Sequence, residues 1–251
     1  MKQLENKTAV VTGGNSGIGL ATVRVFKDRG AKVLFTGRNP ETVAAAAKET
    51  GTTGVVSDQS DLKQIESLVK RASQELGKID ILFINAGTLT IIPFEQVTEE
   101  IFDDYISINQ KGIYFTLQKF LPILNDNAAV FLMSGSGTKT STFLGSSLKF
   151  QAASAVNSMV RTLTLELAPR GIRINAILPG SIETNVFKHA GMPDEAIPQI
   201  LDTIRAGVPL KRTGKAEDVA NLVAFIASDK ASYINGAEYI IDGGLARKAV
   251  F

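Results

Sequence analysis

The sequence predicts an α/β protein: a doubly wound parallel sheet of seven strands with helices on both faces. Three observations carry that expectation. Seven short apolar runs recur along the 251 residues, and amphipathic stretches at helical period separate them. The runs are continuous and rich in β-branched residues rather than alternating, as expected of strands buried on both faces. The first run empties into a glycine-rich turn that opens a helix.

The first strand is TAVVT (8–12), followed directly by TGGNSGIG (12–19) and a helix. The others are AKVLFT (31–36), TGVVS (53–57), IDILFIN (79–85), AAVFLMS (128–134), IRINAIL (172–178) and AEYIID (237–242). After the third strand, LKQIESLVKRASQELG begins a helix at Leu62 that closes on Gly77 in C-cap position. Thr98, with Glu100 and Ile101 behind it, starts another. No repeat, linker or break in composition divides the chain, which reads as one domain over 1–251. The segment 181–215 lacks a clear strand and is too long for an ordinary connection, so it is expected to be a substrate lid.

Composition excludes several chemistries. With 44% apolar and 21% charged residues the chain buries a full core, which sets disorder aside. The 27 Lys+Arg and 25 Asp+Glu are interspersed, so no basic face offers itself to nucleic acid. The absence of cysteine removes disulfides, thiolate nucleophiles and cysteine metal sites together. A single histidine, His189, leaves no imidazole cluster for a metal, and a Ser-His-Asp hydrolase would rest on that one ring in a loop. The start, MKQLENKTAVV, is charged and runs straight into a strand, unlike a signal peptide. No apolar run approaches the roughly 20 residues that span a bilayer. A cytoplasmic protein with no membrane partner is expected.

Gly13, Gly17 and Gly19 form a G-x-x-x-G-x-G turn. Small residues there let the backbone approach a pyrophosphate seated on the helix N-terminus, although a tight strand–helix turn alone also wants glycine. TGGNSGIG, Asp58, NAG (85–87), Asn109 in INQKG, PGSIET (179–184), LKRTG (210–214) and IDGG (241–244) follow in order across essentially the whole chain. In these motifs and their spacing the sequence resembles the short-chain dehydrogenase/reductase family.

The resemblance implies a Rossmann-type sheet with a nicotinamide cofactor across its carboxyl edge. Gly13, Asn15, Ser16, Gly17, Ile18 and Gly19 would form the phosphate turn. Asp58 would hold the adenine amino group, and Asn85, Ala86 and Gly87 would line the adenosine ribose. Pro179, Gly180, Ile182 and Thr184 would flank the nicotinamide, the last two at its carboxamide. Asp58 also reads as a helix cap, and Asn85 as a tie between strands. The second strand ends in FTGRNP, with Arg38 where an acid would hold an NAD ribose. A guanidinium fork suits a 2′-phosphate, so NADP(H) is expected before NAD(H).

By the same resemblance, an Asn-Ser-Tyr-Lys set carries out carbonyl reduction. Tyr is the general acid/base, Lys binds the ribose and lowers the phenol pKa, Ser positions the substrate oxygen, and Asn holds a water chain. Asn109 and Ser136 match, with Ser134 the alternative to the latter. The tyrosine place falls on Lys149 and the lysine place on Ala153, and no shift of register restores the pair. At about 100° per residue Lys149, Ala153, Val156, Val160 and Leu167 share an inward stripe, leaving Phe150 and Ser154 on the polar flank with Asn157 and Arg161. Lys149 is then either a proton donor, if burial lowers its pKa, or a side chain that only reaches phosphate, ribose or solvent. Lys111 and Lys139 are further candidate donors. Two functions follow: an NADP(H)-dependent oxidoreductase with an altered site, or a cofactor-binding sensor or partner subunit. The family's long paired helices and last strand imply a homotetramer.

Overall fold

The computed structural model describes residues 2–139, 144–184 and 193–247. The seven expected runs are strands β1 (Thr8–Thr12), β2 (Lys32–Gly37), β3 (Thr53–Val56), β4 (Ile79–Ile84), β5 (Leu124–Met133), β6 (Arg173–Pro179) and β9 (Glu238–Ile241). They pair in parallel in the order β3-β2-β1-β4-β5-β6-β9. Strand β5 begins before its apolar run because Leu124 pairs with Ile79, ahead of a register shift between Ile79 and Ile81. Two further strands, β7 (Ile182–Glu183) and β8 (Gly214–Lys215), pair in parallel inside the segment read as strandless. Two-residue strands have no apolar run by which to announce themselves.

Helices α1 (Gly17–Asp28), α2 (Pro40–Thr50), α3 (Leu62–Leu76), α4 (Glu99–Ile106), α5 (Ile113–Phe120), α6 (Ser147–Leu167), α7 (Ile197–Gly207) and α8 (Ala216–Ala227) complete the described elements used below. Successive strand residues point to opposite faces, and each face has its own core. Val11, Phe35, Phe83 and Phe131 pack with Val23 and Phe26 of α1 and Val219 and Val223 of α8. Val10, Leu34, Leu82, Val130 and Leu132 pack with Leu68 of α3, Leu117 of α5 and Val156 and Val160 of α6. Burying each such side chain contributes about 1.5–3 kcal/mol. No helix among the described residues is long and apolar enough to cross a membrane.

Strand order reverses between β1 and β4, which leaves a crevice at their carboxyl ends. The local sequence holds that edge in shape. The Asp61 carboxylate caps α3 by accepting from Lys63 N and Gln64 N, and Gly77 closes the helix at φ +74°. Thr98 Oγ1 caps α4 by accepting from Ile101 N. The helical run from α4 into α5 is broken by a six-residue π turn, Ser107–Gly112, which carries Asn109. Gly112 is required there: a Cβ would stand 2.4 Å from the Gln59 carbonyl oxygen.

Candidate active site

The crevice widens into one cleft of about 1860 Å³ that runs from the glycine turn to α6 and α7. Thr12, at the end of β1, organises its floor. Its Oγ1 accepts from Asn85 N at 3.0 Å and Ala86 N at 2.9 Å, and donates to Gln59 Oε1 at 3.0 Å. Gln59 Nε2 in turn donates to the carbonyls of Ala86 and Ile108, so it locks the end of β3 to the end of β4 and to the π turn. Gly13, at φ +65°, brings β1 so close to this crossing that a Cβ would lie 2.9 Å from Ala86 Cα.

Asn15, Ser16, Gly17 and Ile18 line the cleft with Gly13. Gly19 does not: it is packed inside the turn, where a Cβ would fall 2.0 Å from the Gly13 carbonyl oxygen. Its role is to let the turn close. Asn85 lines the cleft and also donates to the carbonyls of Thr12 and Gly13, so it ties the two strands as well. Asp58 faces the cleft while its Oδ1 accepts from Ser60 N and Ser60 Oγ. The cap of α3 is Asp61, so the reading of Asp58 as helix cap falls away.

Arg38 stands exposed at the mouth of the cleft, with no ion-pair partner among the described residues. Beside it the N-terminus of α2 is held by Asn39, whose Oδ1 accepts from Glu41 N and Thr42 N, and Asn15 Nδ2 reaches Thr42 Oγ1 at 2.9 Å. At the other end, Gly180 N donates to the Ile241 carbonyl, and Pro179, Gly180, Ile182 and Thr184 line the wall. A Cβ on Gly17 would stand 3.1 Å from the Thr184 methyl, so the glycine turn and this loop face each other.

Helix α6 presents Lys149, Ala152, Ala153 and Val156 to the cleft. Lys149 is largely desolvated, which holds its ammonium below the ordinary lysine pKa, and its Nζ lies 5.0 Å from the Phe150 ring centre. Phe150 is not on a polar flank as expected from helical spacing. It packs beneath the turn after β5, where a Cβ on Gly137 would collide with its ring at 2.1 Å. Asn157 is likewise buried, its Nδ2 donating to Thr138 Oγ1, whereas Ser154 and Arg161 are exposed as expected.

That turn sets where the two serines stand. Ser136 is 3% exposed in a short 3-10 turn and is absent from the cleft wall, because the chain wraps Gly135 and Gly137 around Phe150. Ser134 lines the wall instead, its Oγ donating to the Ala153 carbonyl at 3.2 Å. Asn109 lines the cleft with both ends of its amide engaged: Oδ1 accepts from Thr88 N, and Nδ2 donates to Thr88 Oγ1 and to the Tyr105 carbonyl. Lys139 pairs with Glu238 at 2.5 Å, and Lys111 is exposed; neither reaches the cleft.

In the lid segment, Ala196, Ile200, Thr203, Ile204 and Gly207 of α7 and its N-cap face the cleft at helical spacing. His189 and the stretch 185–192 lie outside the described residues. Among the described residues no His, Asp and Glu cluster could hold a metal ion. Thr12, Gln59, Ser134 and Tyr105 are the site residues that motif reading passed over or set second. Tyr105 alone carried a usable signal, one helical turn before Asn109.

Residues 13–246 match the family model described as enoyl-(acyl carrier protein) reductase. A 3-oxoacyl-acyl-carrier-protein reductase of Thermotoga maritima is 34% identical over 97% of this chain and 99% of its own length. A short-chain dehydrogenase/reductase from Brucella melitensis superposes with TM-score 0.90 at 30% identity, covering 98% of this chain and 99% of that one. A short chain dehydrogenase from Burkholderia cenocepacia, solved in complex with NADP, gives TM-score 0.88 at 28% identity over 97% and 99%. Fold, motif order and whole-length similarity agree: the chain belongs to the short-chain dehydrogenase/reductase family of NAD(P)-dependent oxidoreductases.

Proposed function

We propose that this protein binds NADP(H) along the cleft and reduces a small carbonyl compound, with Lys149 in the position of the family's tyrosine. The residues present fit a dinucleotide. Gly13 and Gly17 leave a cradle that side chains would fill, and the N-terminus of α1 opens onto it with Ser16 making no cap bond of its own. Arg38 and the first turn of α2 suit a 2′-phosphate, and Asp58 and Asn85–Gly87 flank the adenosine side. The bound dinucleotide would supply hydride. The Burkholderia structure with NADP, and the relative and the family model described as reductases, support the reading.

The observation that carries it is a desolvated lysine on the cleft wall, one helical turn from Ala153. Burial disfavours the ammonium and so eases release of its proton to an oxygen gaining charge. Ser134 adds a hydroxyl on the same wall. A second reading has its own support. Ala153 cannot hold a ribose, and Asn109 spends its amide on Thr88 and Tyr105, which suits a nucleotide sensor with little hydride transfer. NADPH oxidation by purified protein over ketones, aldehydes, quinones and imines separates the two. Turnover that disappears in Lys149→Met supports the first; tight NADPH binding without turnover supports the second. A homotetramer belongs to the same proposal, and sedimentation of a monomer at micromolar concentration would count against it.

A further inference from the structure

The tyrosine absent from α6 has a counterpart on α4. Tyr105 stands one turn before Asn109, whose Nδ2 donates to the Tyr105 carbonyl at 3.0 Å. Its side chain is 5% exposed and packs against Leu148 and Ala152, the residues that flank Lys149 and Ala153 on α6. It nonetheless lines the cleft. A buried tyrosine hydroxyl ordinarily finds a hydrogen-bond partner. This one has none among the described residues. Nor is its hydroxyl among the fully enclosed partnerless polar atoms of the described residues.

We propose that the Tyr105 hydroxyl donates a hydrogen bond to the carbonyl oxygen of the substrate, so that the phenol comes from α4 rather than α6. This rests on the carbonyl-reduction reading above. Burial pushes the phenol pKa up to about 12, so the group keeps its proton across the neutral range and acts as a donor. Leu89, Ile91, Ala152, Ile200 and Ile204 are apolar members of the same cleft wall, on which Lys149 is a charged one. The matching ligand is an uncharged ketone or aldehyde with a compact apolar body. A ligand of the same shape without an acceptor leaves the hydroxyl unpaired.

The test compares cyclohexanone with methylenecyclohexane, which replaces the carbonyl oxygen by a methylene, by calorimetry on protein saturated with NADP⁺. The oxidised cofactor prevents turnover. Wild type is expected to hold the ketone roughly 5- to 10-fold more tightly than the alkene, the worth of one neutral hydrogen bond. Tyr105→Phe keeps the ring against Leu148 and Ala152 and should bind the two alike, with melting temperature and NADP⁺ affinity unchanged. Tyr105→Met, which also lacks the hydroxyl, should show the same loss of preference. A ketone no better bound than the alkene by wild type, including no measurable binding of either, overturns the proposal. So does a preference that survives in both variants. The carbonyl-reduction reading fails separately. If NADP⁺ itself does not bind, that reading is lost and the ketone preference is measured on free protein. If the ketone preference holds but NADPH is never oxidised, Tyr105 stands as a carbonyl donor and reduction does not.

Discussion

Replacing Lys149 by Tyr together with Ala153 by Lys tests whether these two positions face the reacting end of the cleft. Both line the wall one turn apart, and Asn109 lines the same cleft, held by Thr88 and the Tyr105 carbonyl. Ala153 is half-buried toward the cleft, so a longer side chain there enters open space, unlike one at Ala152, which is fully buried. A phenol at the first position alone keeps a pKa near 10. A new ammonium about 4 Å away, at an effective dielectric near 20, interacts by roughly 4 kcal/mol. That corresponds to about three pKa units and brings the phenol close to neutrality before burial opposes it. General acid/base catalysis then adds on the order of 10²- to 10⁴-fold. Neither single change should provide it, because the pair acts as a unit. The assay is NADPH oxidation with cyclohexanone, benzaldehyde and ethyl acetoacetate, after fluorescence has shown that each variant binds NADPH. A double variant that folds, binds NADPH and gains nothing over the two single variants refutes the assignment of these positions.

Arg38→Ala should reduce a preference for NADPH over NADH by about 10- to 150-fold, the equivalent of one charge-assisted hydrogen bond; equal affinities in wild type would contradict the 2′-phosphate role. Lys149 is held below its ordinary pKa by burial, so the folded state binds fewer protons there than the unfolded chain. The resulting cost to stability is full below the folded-state pKa and fades as pH rises toward about 10.4. Lys149→Met should therefore raise the melting temperature most at the acid end of that range and little above it, and a pH-independent gain would argue against a desolvated cation. Gly112→Ala sets a methyl 2.4 Å from the Gln59 carbonyl oxygen, a backbone contact that cannot swing away. It should cost about 1–3 kcal/mol by urea denaturation and weaken NADPH binding through the Gln59 ties to Ala86 and Ile108.

What the sequence determined by itself was whatever depends on near neighbours. Continuous β-branched runs show strands buried on both faces, and the amphipathic stretches between them require a parallel sheet with crossover helices. Gly19 packed on Gly13, the cap at Thr98 and the stop at Gly77 are legible because each works within a few residues of itself. The inward stripe of Lys149, Ala153 and Val156 is simple helical geometry and holds. The same geometry failed at Phe150 and Asn157, because it says which residues share a face and nothing of what packs on that face. Only tertiary structure brings the Gly135–Gly137 turn over Phe150, and that contact turns Ser136 into the protein and leaves Ser134 on the wall. The π turn beneath Asn109, braced by Gln59, and the packing of Tyr105 against α6 belong to the same class. Each is decided by steric fit between segments far apart in the chain, and steric fit has no period that a sequence can display.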